Sequence, residues 1–406
     1  MLTPEYLYRI TEGAEDIASQ LHANILQKII ERMMIRIGRG EDYLLTATDK
    51  WQIEVLQDAG YLLEDIQKEI ADKTNKQVKE IREAMEDAGV QALQWDDKIY
   101  QAAGLSPVHL LQSPTLIRLM QRNYEATMGT WDNLTRTTAG TAQRLFIEQM
   151  DNAYHMVTSG AVSYTEAVRD VINNVSEVGV KVNYPSGRRM TIEAATMMIV
   201  RTGVVQAAAE VSMERMKEMN WDIILVSSHL GARVGDGGQN PGNHSWWQGK
   251  FYSRTGKDKK FPDFVSSTGY GTVTGLSGVN CRHSFGPGDG ENNPFEQYDN
   301  EENKKVYKIQ QRQRALERQI RDTKRKVQNL QAAADACRDE QTKAELQQKL
   351  DRKSYTLSQQ NKAYKQYCEE KGLKSYAERL KVARWDRKQA AKAAGAARRY
   401  QNAKGE

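Results

Sequence analysis

The sequence predicts an α+β protein that is predominantly α-helical, and three observations support this class. Long stretches repeat apolar residues every three or four positions, glycines concentrate in one central segment, and the last hundred residues are rich in Lys, Arg, Gln, Glu and Ala. We therefore expect three consecutive parts in this chain of 406 residues: an N-terminal helical region at 1–160, a small central α/β domain with glycine-rich loops at 161–295, and a basic helical tail at 296–406.

The N-terminal region is predicted to form several amphipathic helices. Thr3 is placed to cap the first helix and Pro4 to occupy its first position. The apolar stripe of the following long helix is expected to end near Gly38 and Gly40, since glycine commonly ends helices. Further helices are expected at residues 51–85, 114–137 and 141–158, the last one introduced by Gly140.

The central region mixes strands and helices. Ser163 and Glu166 form a capping box for a helix to about Val175. Strands are predicted at 180–184 and 222–228, with a helix at 191–220 between them. Between residues 231 and 290 lie 14 of the 29 glycines, which is typical of tight turns and close backbone approaches.

The tail carries a heptad pattern over residues 306–337 and a second apolar stripe from Leu346 to Tyr367. A polar break near 338–342 separates them, so an antiparallel hairpin and an intermolecular coiled coil are both consistent with the pattern. Ser375 and Glu378 are expected to cap a last helix.

Charge is distributed unevenly. Residues 301–406 hold 28 Lys and Arg against 14 Asp and Glu, whereas residues 1–300 hold 30 against 39. A tail of net charge +14 with interleaved Trp and Tyr favours contact with a polyanion, either nucleic acid bound without sequence specificity or an acidic protein surface. The residues predicted to meet DNA phosphates are Arg384, Arg387, Lys388, Lys392, Arg398 and Arg399.

No standard catalytic signature is present. The sequence lacks a phosphate-binding loop, a nucleophile elbow, a His-Glu-x-x-His zinc motif and an EF-hand loop, so we expect a protein that is not an enzyme. No apolar run is long enough for a membrane span, no export signal is expected, and three scattered cysteines favour synthesis in a reducing cytoplasm.

Potential metal ligands nevertheless concentrate in the glycine-rich segment. Imidazole and thiolate groups suit zinc, and on a strand the one-residue gap between a cysteine and a histidine places both on the same face. The candidates are His229, His244, Cys281 and His283, with Asp236 nearby. The alternative is that the histidines satisfy backbone groups in a small core while the cysteine packs as a small apolar residue. We expect no cofactor, with zinc as the open alternative.

Adjacent tryptophans, Trp246 and Trp247, also require an explanation. They either fill the core of the central domain, which we favour, or anchor a partner. The isolated His22, His109 and His155 are expected to be helix-surface or cap residues.

Several ordered blocks of the central region together resemble the phage minor capsid protein 2 family, whose relatives are the Mu-type phage head morphogenesis proteins. The blocks are Arg201-Thr202, residues 226–233, His244, residues 247–253, Gly269-Tyr-Gly271 and residues 275–283. The structural motif residues are Arg201, Thr202, Arg233, His244, Trp247, Gly249, Asn280, Cys281, Arg282 and His283. Of these, His244, Trp247, Asn280, Cys281, Arg282 and His283 are expected to hold the central loops together. Two positions depart from the wider Mu-type pattern, since Gly203 stands where those relatives often have Glu, and His283 where they often have Cys.

The resemblance implies a low-copy structural component of the phage head, made in the bacterial host cytoplasm and located at the portal vertex. Such a protein would aid head assembly and take part in DNA packaging or ejection. Its expected protein partners are the portal protein and major capsid or scaffold proteins, to which residues 1–160 would dock. The tail would contact packaged DNA. No membrane and no small-molecule substrate are expected.

Two alternatives remain at this stage. One is a metal-dependent nuclease or other hydrolase that uses His229, His244, Cys281 and His283. The other is a scaffold whose tail forms a coiled-coil oligomer and never contacts DNA.

Overall fold

The structure is a computed structural model that describes residues 1–37 and 48–405, with the side chains of residues 48–53 and 177 left undescribed. It is 69% helical with few short strands, which confirms the predicted predominantly helical α+β class. The helices are α1 (Pro4–Arg9), α2 (Glu12–Ile37), α3 (Thr48–Ala102), α4 (Pro114–Thr158), α5 (Tyr164–Val178), α6 (Ile192–Glu218), α7 (His244–Trp247), α8 (Phe264–Thr268), α9 (Asn300–Ala336), α10 (Glu340–Glu370) and α11 (Arg387–Lys404). The strands are β1 (Lys181–Asn183), β2 (Arg189–Thr191), β3 (Ile223–Val226), β4 (Phe251–Ser253) and β5 (Phe285–Pro287).

Backbone contacts group the chain into two compact units, each assembled from non-consecutive stretches. Unit 1 contains Met1–Glu15, Asn75–Asp132 and Thr196–Gln311, and unit 2 contains Asp16–Thr74, Asn133–Ala195 and Arg312–Glu406. The division into three consecutive regions was inferred from composition and charge, and it stays a prediction. Over the residues described, no helix is both long enough and apolar enough to cross a membrane.

In unit 2, α2 and the first part of α3 run antiparallel. Arg36 forms ion pairs with Glu54 at 2.5 Å and with Asp58, and Arg32 binds Asp65 at 2.6 Å, so residue numbers rise on one helix as they fall on the other. Apolar side chains of both helices are buried along this pair, as the periodicity predicts. The predicted helix end at Gly38 and Gly40 lies outside the described residues.

Helix α4 is one continuous element, so the prediction of separate helices at 114–137 and 141–158 is wrong. Gly140 lies inside it. A glycine in a helix interior costs about 1 kcal/mol relative to Ala, and burial of Leu134, Ala142 and Phe146 on either side of it offsets that cost. Tertiary packing therefore overrides the local signal.

A buried ion network in unit 2 corrects the expectation for His22. Its side chain is buried, and Nδ1 lies 2.9 Å from Glu193 Oε1, an atom that also accepts a hydrogen bond from Arg325 Nη2 at 2.7 Å. Burial alone would raise the pKa of Glu193, but Arg325 and His22 outweigh it and hold that pKa far below its usual value. His22 is thus a core residue, whereas His109 accepts from the Leu111 N–H as a cap, as predicted.

Unit 1 contains a three-stranded antiparallel sheet in the order β4-β3-β5. Ile224 pairs with Tyr252 on one side and with Pro287 on the other, as expected for the central strand that the buried apolar run predicts. Trp247 lies fully buried in the core beside this sheet, with Trp246 partly buried against the same cluster. The adjacent tryptophans therefore fill the core. A separate hairpin, β1-β2, belongs to unit 2.

The tail folds back on itself. Gln313 of α9 donates to Cys368 Sγ of α10, and Tyr364 donates to Glu317, so the two helices run antiparallel. Helix α10 begins at the predicted polar break, and the heptad positions from 313 to 337 are mostly buried. The tail therefore forms the antiparallel helical hairpin, within a single chain.

The expectation that Ser375 and Glu378 cap the last helix is wrong. Side chains of α9 donate to backbone carbonyls along residues 374–383, including Gln313 to Lys374 at 2.9 Å and Gln328 to Ala383 at 2.9 Å. Carbonyls engaged in this way are unavailable to a helical ladder. The last helix instead begins at Arg387, and the preceding Asp386 caps it by accepting from the Gln389 N–H.

Candidate functional site

The predicted ligands lie at the edge of the sheet where β3 ends and β5 begins. The Ser227 N–H donates to the Ser284 carbonyl at 2.9 Å, and the Ser284 N–H donates to Ser227 Oγ at 2.9 Å. The His229 N–H donates to Gln248 Oε1 at 3.1 Å. These bonds join the chain after β3, the chain before β5 and the residue that follows α7.

Asn303, in the first turn of α9, fastens the loop that follows His229. Its Oδ1 accepts from the N–H groups of Gly231 at 2.8 Å and Ala232 at 2.9 Å, and its Nδ2 donates to the Ala232 carbonyl at 3.0 Å. Asn303 is fully buried. One side chain therefore satisfies three buried backbone groups that have no strand partner.

Glycines fold the segment before Cys281 into a compact loop. A β-carbon on Gly275 would lie 2.2 Å from the Gly269 carbonyl oxygen, and one on Gly278 would lie 2.4 Å from the Val273 oxygen. No side chain fits at either position. The Cys281 N–H donates to the Gly278 carbonyl at 3.0 Å, which fixes the cysteine at the end of this loop.

Three of the four predicted ligands converge. Cys281 Sγ lies 3.8 Å from His244 Nδ1 and 3.8 Å from His283 Nδ1, and the three atoms all lie within 4.8 Å of one another. The exposed fractions of His244, Cys281 and His283 are 2%, 2% and 1%. The structure thus joins a residue of α7 to two residues nearly forty positions later.

The other nitrogen of each imidazole is held by an oxygen. His244 Nε2 lies 2.8 Å from the Thr274 carbonyl, and His283 Nε2 lies 2.9 Å from Gln248 Oε1, the oxygen that also accepts from the His229 N–H. Since these oxygens accept, both imidazoles carry their proton on Nε2 when neutral. The Nδ1 lone pairs of His244 and His283 therefore face Cys281.

Burial governs the protonation of the cluster. It lowers the pKa of His244 to about 4, with the Thr274 carbonyl acting in the opposite direction. Burial likewise puts the pKa of His283 well below its ordinary value and raises the pKa of the Cys281 thiol. Near neutral pH the protein alone holds two neutral imidazoles and a thiol.

The remaining candidates lie beside the cluster. His229 stacks on His283 with ring centroids 4.4 Å apart, so it covers that ring face to face. Asp236 is exposed and binds Asn240 Nδ2 at 2.6 Å and the Gly238 N–H at 3.0 Å within its own turn. The structure therefore brings neither into the convergent set.

The motif residues of the central loops make local structural contacts. Arg233 Nη2 donates to the Val279 carbonyl at 3.0 Å, and Trp247 Nε1 donates to the Pro241 carbonyl at 2.9 Å. Gly249 adopts φ +63° and donates its N–H to the Ser227 carbonyl at 3.3 Å. The exposed Asn280 has φ +58°, a left-handed conformation that Asn tolerates, just before Cys281 and the half-buried Arg282.

The other motif pair, Arg201 and Thr202, lies on α6 and is largely buried. At the following position a β-carbon on Gly203 would lie 2.5 Å from Thr127 Oγ1. The close approach of α4 accounts for Gly203 and leaves no room for a glutamate there.

The predicted DNA-contacting residues lie at or near α11. All six are exposed, and Arg384 precedes the helix with φ +61°. Arg399 differs from the others because it forms two hydrogen bonds with Asp351 of α10, at 3.0 and 2.7 Å. Arg399 therefore also serves the packing of the tail.

Sequence reasoning missed two residues that build the site. Gln248 lies within the block at residues 247–253, but nothing in that block indicates that its oxygen binds His283. Asn303 lies about 70 residues from the loop it holds, in a segment whose helical pattern gives no sign of a long-range contact.

The chain thus combines long helices that pair along their length, a small core tied together by loop hydrogen bonds, and an exposed basic helix. The model of the phage minor capsid protein 2 family matches residues 2–381, so the chain belongs to that family. It is also similar to a structural protein of Lactococcus phage LL-H, with 26% identity over 330 residues that cover 74% of this chain and 84% of the relative. No solved structure matches significantly. The chain accordingly has a structural role in the phage particle, in contact with other virion proteins.

Proposed function

We propose that this protein is a low-copy component of the portal vertex that aids head assembly, docks other virion proteins through its N-terminal region and contacts packaged DNA through its tail. The observation that carries the DNA contact is the one-sided charge of α11. Family membership supports the virion role, and the geometry of the helix supports the polyanion contact.

Two opposite faces distinguish α11. Successive residues of an α-helix rotate by about 100°, which places Ala393, Ala396 and Ala397 on one side, where they are buried and the helix packs on α10. The exposed basic residues of the opposite side are Arg387, Lys388 and Arg398, and Lys392 is exposed at the flank. Alanine lets the helix approach α10 closely, so the charged side is fixed outward. A fixed row of cations suits phosphate neutralisation, which is independent of base sequence.

Salt dependence of duplex binding by the full chain tests this contact. Replacing three of these cations by Ala should reduce the slope of log affinity against log salt by about 2.7, because each phosphate contact contributes about 0.9. The test variant changes Arg387, Lys388 and Arg398. The matched control removes three exposed lysines elsewhere, Lys257, Lys259 and Lys260. Equal slopes for the test variant and the wild-type chain would refute the DNA contact.

An apolar groove in unit 1 supports the docking of a virion protein by the N-terminal region. It has a volume of about 180 Å³ and lies between α3 and α4, lined by Met85, Leu110, Ile117 and Met120 among others. At its rim, Leu111 is 64% exposed and Ile117 45% exposed. Exposed large apolar side chains beside a groove are typical of interaction sites.

Incorporation into heads tests the docking surface. Ile117→Asp should reduce recovery of the chain in purified particles and its cross-linking to the portal protein, since a carboxylate in an apolar interface is costly. Val273→Asp, at an apolar residue 71% exposed elsewhere in unit 1, is the control. Wild-type incorporation of Ile117→Asp would contradict this assignment.

The structural proposal is preferred to the hydrolase alternative because of burial. A nuclease must admit a polynucleotide to its metal, whereas His244, Cys281 and His283 are almost completely enclosed. The scaffold alternative requires the tail to form an intermolecular coiled coil. It is less favoured, since α9 already pairs with α10 of the same chain.

A further inference from the structure

The cluster of His244, Cys281 and His283 has one hydrogen atom too few to satisfy its own lone pairs. Both imidazoles use their Nε2 protons on oxygens, so both Nδ1 atoms present lone pairs to Cys281. A thiol has a single proton and can donate to only one of two nitrogens, each 3.8 Å away. One buried nitrogen lone pair is then left facing a sulfur atom.

A metal cation resolves this deficit, because it accepts all three lone pairs at once. We propose that His244 Nδ1, Cys281 Sγ and His283 Nδ1 bind one Zn²⁺, with a water molecule in the fourth position. Two imidazoles and a thiolate are ligands that zinc prefers, and binding releases the thiol proton to solvent.

The sulfur-to-nitrogen separations are close to those of a tetrahedral zinc site, whereas the ligand atoms as a whole lie up to 4.8 Å apart, so the two imidazole nitrogens must approach each other to bind one ion. With zinc bonded to nitrogen at about 2.0 Å and to sulfur at about 2.3 Å in a tetrahedral arrangement, nitrogen and sulfur ligands lie about 3.5 Å apart. The observed separations of Cys281 Sγ from both Nδ1 atoms are 3.8 Å. His229 stacks on His283 and lies outside the group of ligand atoms that converge within 4.8 Å, which is why the fourth position is assigned to water.

Neighbouring residues already orient the ligands. In zinc sites a ligating histidine donates its other N–H to a carbonyl or carboxylate, which fixes the ring. The Thr274 carbonyl and Gln248 Oε1 fill this role for His244 and His283. The ion would join α7 to the chain before β5, within a segment that has little regular secondary structure, so its role is to stabilise unit 1.

Metal content of the full chain purified without chelators tests the proposal directly. We expect about one zinc per chain by mass spectrometry, and a thiolate-to-cobalt charge-transfer band when Co²⁺ replaces zinc. Cys281→Ser should abolish the band, and Gln248→Ala should weaken zinc affinity about 10- to 100-fold. Matched controls that should retain both signals are Cys337→Ser, another buried cysteine, and His155→Ala, an exposed histidine.

If a variant fails to fold, the zinc content and the cobalt band of the wild-type chain alone test the proposed site. Zinc below about 0.1 per chain, with no cobalt band on titration, would overturn the proposal. Loss of metal from a His229→Ala variant that retains the wild-type circular dichroism spectrum would overturn the three-ligand set. Neither result depends on portal docking or DNA binding.

Discussion

Asn303 should contribute far more to stability than its exposed neighbours on α9. It is fully buried and makes three hydrogen bonds of 2.8, 2.9 and 3.0 Å to the backbone of Gly231 and Ala232. Asn303→Ala leaves three buried backbone groups unpaired. Each unpaired group costs about 1–3 kcal/mol, so we expect the free energy of unfolding to fall by about 3 kcal/mol or more.

Urea unfolding followed by circular dichroism measures this loss, with the free energy obtained by linear extrapolation. Asn329→Ala is the matched control on the same helix, because Asn329 is also buried but makes one side-chain bond, to Ser176 Oγ at 3.1 Å. The control should cost about 1 kcal/mol. If Asn303→Ala were no more destabilising than Asn329→Ala, the loop after His229 would not depend on this side chain and the reasoning would fail.

Three further predictions concern buried charge and close packing. Glu193→Gln should cost about 1–3 kcal/mol, because Arg325 then keeps only its ion pair with the exposed Asp322 at 3.0 Å. The pKa of Glu193 lies below its unfolded value of about 4.3, so the ionised side chain stabilises the fold fully above that pH, and this stabilisation is lost as pH falls. The melting temperature of the Glu193→Gln variant should therefore fall less steeply than that of the wild-type chain as the pH is lowered. Burial raises the pKa of Asp96 to about 7. The free-energy cost of holding this carboxylate buried therefore grows as pH rises from about 4 to about 7. Asp96→Asn should raise the melting temperature more at pH 8 than at pH 5, and equal shifts would refute this. Gly203→Ala should destabilise by about 1–3 kcal/mol through contact with Thr127, and Thr127→Ala should recover much of that loss in a double-mutant cycle, whereas additive effects would contradict the proposed clash.

Local signals in the sequence predicted much of the fold. The caps at Thr3 and Ser163 form as expected, because each side chain accepts from a backbone N–H within its own first turn. The apolar run of β3 and the heptad stripe of α9 also form, since their period alone determines which face is buried.

The errors arose where a distant partner overrides a local signal. Gly140 does not interrupt α4, because packing on both sides of it continues. The segment after Ser375 forms only a short 3₁₀ helix at Glu378–Leu380 and no α-helix, because α9 side chains such as Gln328 bind its carbonyls. His22 resembles a surface residue in sequence, and only the fold reveals its contact with Glu193.

The candidate site was only partly predictable for the same reason. Residue type and the one-residue gap pointed to Cys281 and His283, and the glycine-rich context pointed to His244. The sequence could not separate His229 from this set, since stacking against His283 depends on ring orientation. Nor could it indicate Thr274, whose contribution comes from a backbone carbonyl.

Quantitative cross-linking mass spectrometry on purified, DNA-filled particles tests the central claim most directly. The account predicts that the chain is present at low copy number, that residues 82–124 cross-link to the portal protein, and that peptides of α11 carry nucleotide adducts. Absence of the chain from mature particles would contradict its place as a structural component of the phage head.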